Sequence, residues 1–405
     1  MTKCEISIKM MNSTTPSPSL GYLTAHQLEN LVKEHHRSGW KSLHMEEAFH
    51  LFNKMLTAKP KPSIFTFNLL LIAISRMRNK QHYPTLLSFF NQMHQAGGIN
   101  TDTHTYNILI DCCCRMNQVN MGFCVFSGML KRGWSPNTVT FNTLIRGLCS
   151  KVDITDAIHL FEIMPKVGCT PNLITYNTLI KGLCDSQNTS LALEWHKKMV
   201  AQGIQLKPDL ITYSTIIDGL CKEGATEKAL ELVQEMIDKR IAPNVFTYNT
   251  IINGFCRKGD IQSAFKLFEE MNEISITPDI VTFNTIINGC CKVGSFDKVS
   301  QTFKEMLARG LTPSVFTYSS MIDALCKGGA MDKAYEIFQQ MVDTGIEPDS
   351  ITYTSLIHGH SILGQWKKAF ELFKEMVDRG LAPNTITYTA IMSSLCKEGK
   401  SSEVI

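Results

Sequence analysis

Thirty-five residues after Val245 the chain says the same thing again. VFTYNTIINGFCRKGDIQSAFKLFEEMNEISITPD, from Val245 to Asp279, is followed by IVTFNTIINGCCKVGSFDKVSQTFKEMLARGLTPS, from Ile280 to Ser314. A fixed period of this size dictates the architecture before any other signal is weighed. Each copy reads as two helices. The first carries Tyr248, Ile251, Ile252 and Phe255 at helical spacing, with the Thr247 hydroxyl placed to cap it and Lys258 and Gly259 to stop it. The second starts near Asp260, presents Ala264, Phe265, Leu267, Phe268 and Met271 on a broad apolar face, and ends before Pro278. Neither helix buries its face alone, whereas stacked copies share one core, so the period predicts an all-α solenoid. Length alone, at 405 residues, would suggest about two or three globules; the period replaces them with an array.

Repeats begin at Ile64, Thr103, Thr138, Leu173, Leu210, Val245, Ile280, Val315, Ser350 and Thr385. The first step carries four extra residues and the one from Leu173 two, insertions that fall in or near turns, where loop length costs little. Nine repeats over 64–384 are complete. Before them, 29–63 reads as a degenerate, partial repeat, in which MEEAFHLFNKMLTAKPKPS supplies a second helix and its closing proline after a degenerate first helix. Residues 1–28, with the patch STTPSPS, read as disordered. That segment makes a poor organelle presequence, since only Lys3 and Lys9 are basic before Lys33 and Glu5 is acidic. The tenth repeat, 385–405, stops just after Glu403 and Val404 would begin its second helix, as expected of a truncated product that leaves an apolar face uncapped. No apolar run reaches the roughly 18 residues a bilayer-spanning helix requires.

Neither metal ligands nor a catalytic constellation stands in the sequence at the required spacing. Eight of the 14 cysteines, Cys114, Cys149, Cys184, Cys221, Cys256, Cys291, Cys326 and Cys396, fill one slot of successive repeats, a full repeat apart and so too distant to bridge or chelate. The slot calls for a small apolar side chain against a neighbouring helix. The run Cys112, Cys113, Cys114 points three ways around a helix, and His358 and His360 have no acidic or cysteine partner at metal spacing. Phosphate-binding GxxxxGK[ST], GxSxG and the HxE with PCxxC deaminase signature are all missing. The Met slot, from Met129 through Met164, Met199, Met236, Met271, Met306 and Met341 to Met376, is core at helical phase. The expectation is therefore no catalytic residues, no metal and no cofactor.

Four other slots are the candidate site. The residue after the first-helix aromatic is always short and polar: Asn68, Asn107, Asn142, Asn177, Ser214, Asn249, Asn284, Ser319, Thr354 and Thr389. So is the residue after the closing proline, Asp102 (whose repeat has lost its proline), Asn137, Asn172, Asp209, Asn244, Asp279, Ser314, Asp349 and Asn384. Helix capping accounts for all these residue types. Yet both slots change donor and acceptor pattern while the apolar positions hold nearly constant, and amide, carboxylate and hydroxyl offer different edges to a nucleobase. Two residues before the aromatic stand Phe65, Val139, Ile174, Ile211, Phe246, Val281, Phe316, Ile351 and Ile386, with His104 the exception; they suit either a core or contact with base faces. Arg115, Lys222, Arg257, Lys292, Lys327 and Lys397 follow the cysteine slot, where a cation complements the helix C-terminus and can also meet a backbone phosphate. Formal net charge is only +3, so any polyanion contact comes from a periodic stripe rather than global basicity.

The phrases VTFNTLIRGLCSK (139–151), ITYNTLIKGLC (174–184) and ITYTSLIHGH (351–360), with the closing Gly-x-x-Pro-Asp/Asn/Ser, resemble the pentatricopeptide repeat family over about residues 46–405. The uniform step is similar to the P-type subclass and the texture to plant fertility-restorer-like members. The resemblance implies a right-handed superhelical solenoid and a non-enzymatic, sequence-specific binder of single-stranded organellar RNA, one base per repeat, read by two or three side chains. Mitochondria are the implied compartment, with the chloroplast as alternative, and transcript processing, stabilisation or translation control, fertility restoration among them, with a recruited processing factor, the implied role. It further implies that the two polar slots read bases, that Val139, Ile174, Ile211, Phe246, Val281, Phe316, Ile351 and Ile386 sandwich them, and that the cations contact phosphates. Under the family's pairing scheme the nine complete repeats spell U-Y-Y-U-A-U-C-G-A, 5′ to 3′. A protein-interaction scaffold, as in the tetratricopeptide family, is the alternative; that family has a 34-residue period and a different consensus.

Overall fold

The computed structural model describes residues 24–40, 44–77, 82–97, 99–203 and 206–397, and among these every regular element is helical. The helices come in pairs, an A helix and a B helix to each repeat: Ala25–Arg37 with Met45–Thr57, Ile64–Arg76 with His82–Gln95, Thr103–Arg115 with Val119–Lys131, and Thr138–Ser150 with Ile154–Ile163. Leu173–Asp185 with Thr189–Ala201, Leu210–Lys222 with Thr226–Asp238, Val245–Lys258 with Ile261–Glu273, and Ile280–Lys292 with Phe296–Ala308 continue the series. Val315–Lys327 with Met331–Asp343, Ser350–Ile362 with Trp366–Asp378, and the A helix Thr385–Lys397 complete it. Two compact bodies, Met1–Gly182 and Leu183–Ile405, divide the chain. Within each, an A helix packs on its own B helix and on the A helices before and after it, the all-α repeat solenoid that the period implies.

The A helices do not start where the sequence suggested. Asn244, not Thr247, is the N-cap: its backbone is extended (φ −117°, ψ 177°) and its Oδ1 accepts from the Thr247 N–H at 3.0 Å. Thr247 sits three residues inside and returns the bond through its hydroxyl, closing a capping box. Asp102, Asn137, Asp209, Asp279 and Ser314 begin their helices the same way, each cap contributing about 1 kcal/mol. Gly259 then ends its helix with φ +84°, a left-handed conformation glycine adopts without strain.

The first helix, Ala25–Arg37, lies partly inside the stretch expected to be disordered, and Thr24 caps it in a box with Gln27. With Met45–Thr57 it makes a helix pair, its first member standing where a degenerate first helix was expected. Residues 1–23 lie outside the described residues, as do 398–405 with Glu403 and Val404, and parts of both insertions at 78–81 and 204–205.

Packing follows the repeat. All eight residues of the Met slot are fully buried. The B-helix phenylalanine meets the next A-helix aromatic edge-on, Phe268 on Phe283 at 5.3 Å and Phe303 on Tyr318 at 5.6 Å, each pair adding about 1 kcal/mol beyond area burial. Cysteines fill the tight seam between successive A helices: Cys114, Cys184, Cys221, Cys256 and Cys326 are buried, Cys149 and Cys291 half-buried and Cys396 exposed. The seam explains the glycine facing them. A Cβ on Gly254 would lie 2.9 Å from both Cβ and Sγ of Cys221, closer than non-bonded carbons pack. Among the described residues no helix is long and apolar enough to cross a membrane.

Candidate nucleic-acid interface

The capping box brings the two polar slots together. Asn68 Nδ2 donates to Asp102 Oδ1 at 3.1 Å, Asn107 Nδ2 to Asn137 Oδ1 at 3.3 Å, and Asn249 Nδ2 to Asp279 Oδ1 at 3.1 Å. Ser319 Oγ reaches Asp349 Oδ1 at 3.5 Å. Each pair joins the A helix of one repeat to the cap of the next.

A third residue organises them, and sequence reading missed it. The threonine three residues into each A helix, Thr105 and Thr140 among them, is fully buried. Thr105 Oγ1 lies 2.9 Å from Asn68 Oδ1 and 2.8 Å from Asp102 Oδ1; Thr140 Oγ1 lies 2.7 Å from Asn107 Oδ1. Thr317 Oγ1 donates to Asn284 Oδ1 at 2.7 Å, and Ser319 and Thr354 meet the hydroxyls of Thr352 and Thr387 at 2.8 Å. At Asn68, with its carbonyl held by the Thr105 hydroxyl and its amide by the Asp102 carboxylate, the side chain cannot rotate end for end. The signal was available: this threonine recurs without exception beside slots that vary.

The cap residue commits one oxygen to these bonds. Asp102 Oδ1 takes the Thr105 N–H, the Thr105 hydroxyl and the Asn68 amide. What remains depends on residue type: Oδ2, an acceptor, at Asp102 and Asp279; Nδ2, a donor, at Asn137 and Asn244; nothing at Ser314. Burial would raise the Asp102 and Asp279 carboxyls, but hydrogen bonds from Thr105 and Asn68, and from Thr282 and Asn249, hold both below their ordinary value. They stay ionised, acceptors only.

The pairs are unevenly accessible. Asn68, Asn107, Asn249, Ser319 and Thr354 are buried, whereas Asn142, Asn177, Ser214 and Asn284 are half-buried and Thr389 exposed. Among the caps, Asn137, Asn172, Asn244 and Asn384 are exposed and Asp102, Asp209, Asp279, Ser314 and Asp349 half-buried. Asn142 Oδ1 and Asn249 Oδ1 are buried without a hydrogen-bond partner.

Beside the pairs stand the apolar side chains, and they are not core. Phe65, Val139 and Ile174 in the first body, and Ile211, Phe246, Val281, Phe316, Ile351 and Ile386 in the second, are 53–63% exposed. Leaving large apolar surface in water once per repeat is the mark of a contact surface. His104, also exposed, replaces one of them.

The cations share that face of the A helix, eleven residues on, but several are already engaged. Arg115 pairs with Asp111 at 2.7 Å, Lys222 with Asp218 and Lys327 with Asp323, both at 2.6 Å. Arg257 and Lys292 are exposed and have Asn253 and Asn288 where the others have aspartate. The Lys397 side chain lies outside the described residues.

The PPR repeat family matches eight overlapping segments, 101–150, 136–185, 171–222, 208–257, 243–292, 278–327, 320–361 and 351–397. A pentatricopeptide repeat-containing protein of Arabidopsis thaliana is 36% identical over 99 residues, 24% of this chain and 19% of its own length. Another, named as mitochondrial, is 36% identical over 84 residues, 21% of this chain and 13% of its own. The matched stretches are thus less than a fifth of those relatives. Among solved structures, the pentatricopeptide repeat protein PPR10 in complex with an 18-nt psaJ RNA element aligns over 98% of this chain and 55% of that one, at 24% identity and a TM-score of 0.45. Yeast Rmd9p in complex with a 16nt target RNA aligns over 94% and 91%, at 10% identity and a TM-score of 0.47.

Proposed function

Because the chain belongs to the PPR repeat family, we propose that it binds single-stranded RNA in a sequence-dependent way and acts by occupying a transcript rather than by chemistry on it. The observation that carries this reading is the hydrogen-bonded pair of variable polar side chains, such as Asn249 with Asp279 at 3.1 Å, beside an exposed apolar residue, Phe246. An apolar side chain accepts the face of any base, and a fixed donor or acceptor beside it discriminates among base edges. Duplex RNA hides those edges, so the target is unpaired. Capping and reading are compatible here, since one oxygen holds the helix and the other side-chain atom of an Asp or Asn cap is left over.

Repeat by repeat, the pairs Asn68–Asp102, Asn107–Asn137, Asn142–Asn172, Asn177–Asp209, Ser214–Asn244, Asn249–Asp279, Asn284–Ser314, Ser319–Asp349 and Thr354–Asn384 give the target U-Y-Y-U-A-U-C-G-A. We assign the protein to mitochondrial RNA metabolism, a placement supported by relatives whose names carry that compartment. The deciding experiment is a competition titration of the full chain against this nine-nucleotide RNA and a scrambled one, at two salt concentrations. A tenfold preference, about 1.4 kcal/mol, that persists at the higher salt supports sequence reading. Equal binding erased by salt returns the polar slots to capping alone and makes a protein scaffold the better reading.

A further inference from the structure

Most repeats place a Lys or Arg on this face of the A helix, though not always at the same turn; the repeat from Ser350, with Ile362 at the helix end and His358 one turn back, has neither. In five repeats the basic residue at the end of the A helix, Arg115, Lys222, Arg257, Lys292 or Lys327, has Asp or Asn four residues earlier, at Asp111, Asp218, Asn253, Asn288 and Asp323; Arg76 and Lys397 have Ile72 and Ser393 there. Two repeats reverse this. Ser150 and Asp185 stand at the helix end, and the basic residue moves back one turn to Arg146 and Lys181. Residues four apart share a helix face, and Arg146 and Lys181 follow Val139 and Ile174 by seven, again on that face. The move displaces the charge by about 6 Å along the helix without turning it away. Both side chains are exposed.

We propose that Arg146 and Lys181 are the backbone-phosphate contacts of their repeats, taking the part played elsewhere by the cation at the helix end. This rests on the RNA-binding reading above. The surroundings of Arg146 fit it. Its guanidinium reaches Asp111 of the preceding repeat at 2.5 Å, the same carboxylate that Arg115 holds at 2.7 Å. Two guanidiniums on one carboxylate leave a net positive charge, and each fork retains N–H groups for a phosphate. Asp111 then sets how much of that charge is available.

The test is the salt dependence of RNA affinity for the full chain, read with the nine-nucleotide RNA and its scrambled form. Arg146→Gln and Lys181→Gln are each expected to flatten the slope of log affinity against log salt by about 0.7, the value of one single-strand phosphate contact, and to do so equally for both RNAs. Arg146→Lys keeps the slope. Arg146→Gln with Ser150→Lys restores it, because the charge returns to the helix end; a purely structural Arg146–Asp111 link would not be repaired this way. Asp111→Asn is expected to tighten binding and steepen the slope. Slopes unchanged in both Gln variants, alongside a flatter slope in Lys292→Gln, overturn this proposal and leave RNA binding standing. A wild-type chain that binds neither RNA overturns the RNA-binding reading itself.

Discussion

Asn249 donates through Nδ2 to Oδ1 of Asp279 across 3.1 Å, although 30 residues separate them. Ser319 and Asp349 hold the same two places two repeats later, with the hydroxyl 3.5 Å from the carboxylate. The carboxylate is common to both, so whatever differs in base preference arises from amide against hydroxyl. Ser319→Asn rebuilds the Asn249–Asp279 arrangement and is expected to move preference at that nucleotide from guanine to uracil. Binding to a set of RNAs varied at the eighth base checks it; an unchanged guanine preference would detach the first slot from readout.

Phe246 is 61% exposed. Its truncation to alanine removes little buried area, and surface changes of this kind alter stability by less than about 0.5 kcal/mol. A side chain that stacks a base contributes about 1–3 kcal/mol to binding. Phe246→Ala should therefore leave the melting temperature in place while weakening RNA at least several-fold, measured by paired melting and titration. A fall in melting temperature with unchanged affinity would return Phe246 to a structural role.

Legibility was uneven for physical reasons. Met236 and Met271 could be placed in the core from sequence because burial selects one residue class at one phase. Asn244 and Thr247 could not be told apart as caps, because both types cap well and only the extended backbone of Asn244 decides it. The exposure of Phe246 and Val281 was equally hidden, since an apolar residue at helical spacing reads the same on either face. Arg146 and Lys181 escaped because the cations were sought at a single slot. What the sequence did contain, the pairing of Asn68 with Asp102, follows from the period: residues a repeat apart meet wherever successive helices stack.

Val152 carries a different kind of misfit. It occupies the turn between Thr138–Ser150 and Ile154–Ile163 with φ +66°, where Gly224, Gly259, Gly294, Gly329 and Gly364 serve other repeats. A β-branched residue held there costs about 1–3 kcal/mol, and at 65% exposure Val152 recovers little by burial. Val152→Gly should stabilise the chain by about 1 kcal/mol, net of the extra freedom glycine gives the unfolded state. Denaturant unfolding monitored by circular dichroism measures it, with an unchanged or lower midpoint as the contrary result.

His196 predicts a pH dependence. It takes the B-helix place that Phe161, Phe268, Phe303 and Phe338 fill elsewhere, and meets Tyr213 edge-on at 5.2 Å. It is 3% exposed and its Nε2 has no hydrogen-bond partner. Burial lowers its pKa below the ordinary 6.5, Glu235 opposing and Lys239 and Lys197 reinforcing that shift. The unfolded chain thus takes up a proton near pH 6.5 while the folded chain still excludes it. Stability from this site is full above pH 6.5, declines as pH falls through that value, and levels off below the folded-state pKa. His196→Phe removes the proton site and the unpartnered nitrogen together. It should stabilise by about 1 kcal/mol at pH 8 and by more at pH 5.5. Carboxylates with lowered pKa values, Asp102 and Asp279 among them, lose their contribution at lower pH, so the two effects separate in a melting series from pH 8 to pH 4. A gain independent of pH would show that His196 binds its proton equally in the folded and unfolded states, and the burial argument would fail.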